Sequence, residues 1–178
     1  MPAEWTNIIL GNEAPEATWS EIFARLADIA FGNPTPKALH HATVTADRLL
    51  AEAAWDLWQA YPEAARQTSA KLIDWSMQPS GGKGKAVLIL DALSLHELGA
   101  LLVGAEAHGT SPEEVAVTGS EFPSETTAFA QAIGAPQRSA LSGGPPGGFR
   151  LFNGECSTAV LKHPFEDCIG AVPNDNSI

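Results

Sequence analysis

Ala86-Val87-Leu88-Ile89-Leu90-Asp91 decides how the rest of this chain is read. An unbroken apolar run that stops on an acid matches a strand buried on both faces, and such strands belong to parallel sheets. A carboxylate at the carboxyl end of such a strand lies at the edge where open α/β sheets bind ligands. Asp91 is therefore a candidate metal ligand or general base, with a plain turn or capping acid as the alternative.

The next residues extend the pattern. Ser94-x-x-Glu97 has the form of a capping box, and Leu95, Leu98, Leu101, Leu102 and Ala105 follow at helical spacing. A helix is expected over about 94–107, ended by Gly109. Val115-Ala116-Val117 then reads as a second strand near 114–118, parallel to the first through a right-handed crossover. Beyond it, Pro123 and Ser124 ahead of an Ala-rich stretch, with Gly134 at the far end, mark a short helix. Thr126 falls in its first turn, at the same expected sheet edge as Asp91. Free N–H groups and the helix dipole favour a phosphate there, and a hydroxyl becomes a nucleophile if a cation stabilises its alkoxide. The alternative is that Ser124, Thr126 and Thr127 merely cap the helix.

Val87-Leu88-Ile89-Leu90-Asp91-Ala92-Leu93, followed by Phe122-Pro123-Ser124-Glu125-Thr126, resembles the start of an alkaline-phosphatase-superfamily core. Within that group it is most similar to PglZ domains, whose first strand runs into Asp-Ala-Leu and whose nucleophile loop reads Pro-Ser-x-Thr. The resemblance covers roughly residues 85–141. It implies a metal-dependent phosphohydrolase acting on a phosphomonoester or phosphodiester, linked to bacterial phage resistance. Asp91 and Thr126 would bind a divalent metal, zinc before others, and Thr126 would be the catalytic nucleophile. Ser124 is the runner-up and Thr127 a weak third.

Two departures bear on activity. Ser94-Leu95 stands where PglZ domains often have Arg-Tyr. The family's further metal ligands lie downstream, where this chain offers only His163, Asp167 and Asp175. Two-metal catalysis needs ions about 3.5–4 Å apart, and half a ligand set does not hold them. A truncated and inactive copy, binding zinc weakly, is therefore expected. The second function class is a non-catalytic helical plus α/β module that binds a protein partner.

The first eighty residues differ in kind. They hold all five tryptophans and no β-rich run. Thr18-x-x-Glu21 reads as a capping box, with Ile22, Phe23, Leu26 and Ile29 on one face until Gly32-Asn33-Pro34. A longer helix is expected over about 37–60 and a third from Pro62 to near Met77, their tryptophans mostly core. Gly81-Gly82-Lys83-Gly84-Lys85 precedes its strand and lacks phosphate-loop spacing, so it reads as a flexible basic linker. His40-His41 and His108 read as solvated, and His96 as solvated or near the site. From Ser142 a Gly/Pro-rich tail cannot be a helix or a central strand.

With 21 acids against 10 bases, the net charge of −11 argues against binding nucleic acid through a basic surface, and against anionic membranes. The N-terminus lacks the pattern of a signal peptide, and no run approaches the ~18–20 apolar residues of a membrane span. Cys156 and Cys168 make no disulfide framework, which fits the cytoplasm. The expected fold is thus α/β: a helical module (1–80), then a partial alkaline-phosphatase-like parallel-sheet core (81–141), then a poorly ordered tail (142–178).

Overall fold

Proline sets the first three helix starts. In the computed structural model, α1 (Pro2–Ile9), α2 (Pro15–Gly32) and α3 (Pro36–Ala53) each open on one. The ring's missing N–H and fixed φ suit a first helical position. Thr35 completes the α3 start, its Oγ1 accepting from the Ala38 N–H at 3.3 Å. The remaining helices are α4 (Trp55–Ala64), α5 (Thr68–Met77), α6 (Leu95–Ala107) and α7 (Thr126–Ala132). The structure describes residues 2–11, 14–32, 35–79, 85–91, 93, 95–141, 150–151, 154–155 and 158.

Two compact units divide the chain: 1–66 with 90–119, and 67–89 with 120–178. In the first, a helical unit, Trp5, Ile8 and Ile9 of α1 are buried with Trp19, Ile22 and Ile29 of α2, Leu39 of α3, and Leu57 and Tyr61 of α4. Trp19 is the hinge pin of this core. Its ring stacks on Phe23 and meets Trp58 and Tyr61 edge-on at 5.0 and 4.9 Å. Its buried Nε1–H donates to the Leu57 carbonyl at 3.1 Å, so the one polar atom of a core tryptophan is satisfied. Leu95 and Leu98 of α6 pack against the same core.

The second unit is smaller. Ala130, Ile133 and Ala135 form its core, with Leu72, Phe129, Ala140 and Leu141 around them. Here α5 is charge-capped at both ends, at its start by a residue distant in sequence and at its end by one that follows the helix closely. At its start, Glu121 Oε1 accepts from the buried Ser69 N–H at 2.8 Å. At its end, Lys85 Nζ donates to the carbonyls of Trp75 (2.8 Å), Ser76 (2.7 Å) and Gln78, and lies 5.0 Å over the Trp75 ring. Acid at the N-terminus and base at the C-terminus both follow the helix dipole.

The expected parallel-sheet core is corrected by this structure. Residues 86–90 and 114–118 belong to no strand, and the strands among the described residues are β1 (Arg150–Leu151) and β2 (Gly154–Glu155), paired antiparallel. The physical reason lies in what an apolar run encodes. It specifies a demand for burial, whereas a strand also needs a neighbour's backbone groups. Helix α6, expected to cover a sheet, instead gives its inner face to α2 and α3.

Helix ends were read better than strands. α6 spans Leu95–Ala107 and stops at Gly109, φ +73°, where Gly109 N–H reaches the Glu106 carbonyl and Thr110 N–H reaches Ala105. Gly134, φ +92°, ends α7 with the same pair of bonds, to Gln131 and from Ala135 to Ala130. Both are left-handed glycine caps. Three boundaries differ from expectation. Thr18 is no cap but a buried residue inside α2, because Pro15 already opens that helix. The expected 37–60 helix breaks at Ala54, whose φ of −112° and ψ of 37° are non-helical. Pro62 sits in the last turn of α4 rather than opening α5.

Candidate functional site

Asp91 occupies a turn directly after the apolar run, its side chain exposed. Thr126 is the first residue of α7, half-buried, following Glu125 in extended conformation at the cap position. Its placement in the first turn of a helix agrees with the sequence reading. Ser124 and Thr127 are exposed on either side. Asp91 belongs to the first unit and Thr126 to the second, so each is placed within its own unit. Ser94, Cys156, Cys168, His163 and Asp167 lie outside the described residues, as do 142–149.

The segment carrying Thr126 is held by a residue the sequence reading passed over. Glu121 is 7 % exposed, and its bond to Ser69 ties the 121–126 stretch to the start of α5. An acid before an aromatic and a proline carries no local signal for this, because its partner lies 52 residues away. Lys85 was likewise read as linker, yet its ammonium group closes the far end of the same helix.

His96 is half-buried in α6, its ring centroid 6.2 Å from that of His40 on α3. Among the described residues no three His, Cys, Asp or Glu side chains gather as a metal-binding group. An open cleft of about 340 Å³ in the helical unit is lined by Glu4, Trp5, Arg25, Asp28, Ile29 and His41, among others. Its charges largely answer one another: Arg25 meets Glu4 at two points, Nε–Oε1 at 2.9 Å and Nη2–Oε2 at 3.2 Å. Only the second is an aligned hydrogen bond.

The feature without a structural explanation is the apolar run itself. Val87, Leu88, Ile89 and Leu90 are 37–67 % exposed and Leu93 is 47 % exposed. Leu101 and Val103 on α6 are also open to solvent. Scattered exposed leucines are ordinary on protein surfaces, but a contiguous run is a mark of an interaction site. No helix among the described residues is long and apolar enough to cross a membrane. No protein-family model, curated protein or solved structure matches this chain.

Proposed function

We propose that this chain acts as a non-catalytic binding module of the cytoplasm that docks a protein partner on its uncovered apolar run. The observation that carries this reading is the exposure of Val87, Leu88, Ile89 and Leu90 in succession, with Leu93 exposed three residues on. Each large aliphatic side chain gains about 1.5–3 kcal/mol on full burial. Partial exposure leaves a fraction of that available to a partner at every position. A photo-crosslinking residue at position 88, with one at exposed Asp47 on α3 as control, tests it in cells. A discrete adduct specific to position 88 is expected. Equal background at both positions would overturn the reading.

A second reading, a PglZ-like metal-dependent phosphohydrolase of a phage-resistance system, is favoured by one observation. Thr126 opens α7 directly after Pro123-Ser124-Glu125, as the nucleophile of a Pro-Ser-x-Thr loop would. In that reading Asp91 and Thr126 would each be a zinc ligand, and the Thr126 hydroxyl would attack the phosphorus of a phosphate ester and release its alcohol. The two readings part on hydrolysis of an aryl phosphate with added zinc. The binding module shows none above background, and Asp91→Ala and Thr126→Ala behave like the parent. Zinc-dependent turnover that vanishes in both variants would replace the first reading with the second.

A further inference from the structure

Charge in this chain is unevenly divided. The helical unit, 1–66 with 90–119, holds fourteen of the 21 acids and four of the ten bases, so it carries ten of the eleven net negative charges. Within it, residues 90–119 contain Asp91, Glu97, Glu106, Glu113 and Glu114 and no lysine or arginine. The same stretch exposes Leu90, Leu93, Leu101 and Val103, at 45–56 %. Leu101 and Val103 flank an outer face of α6 made of Ala100, Gly104 and Ala107, and Glu106 and Glu113 are themselves exposed. Apolar side chains and acids of one sign thus share one continuous segment.

We infer that this surface receives a basic, apolar segment of a partner protein, one in which leucine-like residues are interleaved with lysine or arginine. The inference rests on the docking reading and names the partner's chemistry. Apolar contact supplies the affinity. Opposite charge supplies steering and rejects wrong partners. A second copy of this chain is the poorer occupant, since the two-fold contact of a dimer sets acid against acid across the interface.

The full chain is titrated with three short labelled peptides: alternating leucine and lysine, alternating serine and lysine, and alternating leucine and glutamate. The leucine–lysine peptide is expected to bind at least about tenfold more tightly than serine–lysine, the gain of burying two or more leucines. Its binding weakens from low to physiological ionic strength as screening grows. The leucine–glutamate peptide does not bind. A Leu90→Ser, Leu93→Ser, Val103→Ser variant with the parent's circular dichroism loses the leucine–lysine advantage, and Glu106→Lys with Glu113→Lys weakens that peptide further at low salt. Serine–lysine binding as tightly as leucine–lysine would reduce the effect to bulk charge and overturn the inference. So would equal binding of the acidic peptide, an unaffected triple-serine variant, or a dimer of the chain closed through this face. If position 88 captures a partner while the peptide panel fails, only the basic character of the partner falls; no capture removes the docking reading itself.

Discussion

Replacing Glu121 with alanine tests the account of the second unit most directly. The carboxylate is buried and accepts from the N–H of Ser69, the second residue of α5, which is itself 6 % exposed. Gln67, the residue in the cap position, makes no side-chain cap bond. Lys71 N–H already reaches the Gln67 carbonyl, so the amides of residues 68–70 are the ones without an intrahelical acceptor. Glu121 therefore does from afar what a local Ser or Asp does elsewhere. A hydrogen bond to a charged group contributes about 1.5–3 kcal/mol, and the charge at the helix N-terminus about 0.3–1 kcal/mol, partly the same energy counted twice. Alanine also leaves a buried N–H without a partner. The expected loss for Glu121→Ala is about 2–3 kcal/mol. Glu121→Gln keeps an acceptor oxygen and sheds the charge, and should lose about 1 kcal/mol. Urea unfolding followed by circular dichroism gives the loss, and amide exchange by mass spectrometry locates it. Peptides over 68–77 should exchange roughly 30- to 150-fold faster in the alanine variant if opening is local. Stability within about 0.5 kcal/mol of the parent for both variants, with exchange over α5 unchanged, would refute the capping argument.

Gly119 donates its N–H to the Arg66 carbonyl at 2.9 Å, and a Cβ there would strike the ring and hydroxyl of buried Tyr61. Gly119→Ala should therefore destabilise the helical unit by about 1–3 kcal/mol in urea unfolding, and a neutral result would mean that Tyr61 yields easily. The Glu4–Arg25 pair is 42 % and 33 % exposed, so Glu4→Gln should change stability by no more than about 1 kcal/mol. The neighbouring Trp5→Ala should lose about 3–5 kcal/mol, because Trp5 is 2 % exposed in the core. Equal losses for these two variants would contradict the view that packing rather than ion pairing holds α1.

What the sequence discloses here depends on how local the physics is. Helix ends are local, so Gly109, Gly134 and the start of α7 at Thr126 were legible from residue type alone. The proline starts were not read: α1 is unanticipated, and a Thr-x-x-Glu pattern inside α2 puts the cap at Thr18, four residues past Ala14, which Pro15 follows. Tryptophan burial was legible only in part. Trp5 and Trp19 are core, whereas Trp55 is 72 % exposed, because helical spacing cannot tell which face of α4 meets α2 once Ala54 has turned the chain. The caps on α5 were not legible at all. Glu121 acts on α5 from 52 residues away and Lys85 from past the helix's own end, where helical spacing rules do not apply.

The run Val87–Leu90 teaches the most, because both parts of its reading are overturned: it forms no strand, and its side chains are exposed rather than buried. Continuous apolarity reports only that covering the segment would be favourable. The step from burial to a parallel sheet added a partner that the described residues do not provide. An α/β reading and a docking reading therefore begin from the same four side chains, Val87 to Leu90, and differ only in who covers them. In the first the cover is the chain's own sheet, and Asp91 at the strand end becomes a metal ligand. In the second the cover is a partner, and Asp91 becomes one acid on the rim of the surface it meets. Substituting Asp91 separates these roles: as a zinc ligand its loss abolishes turnover, whereas as a rim acid it weakens association in a salt-dependent way and leaves no catalytic trace.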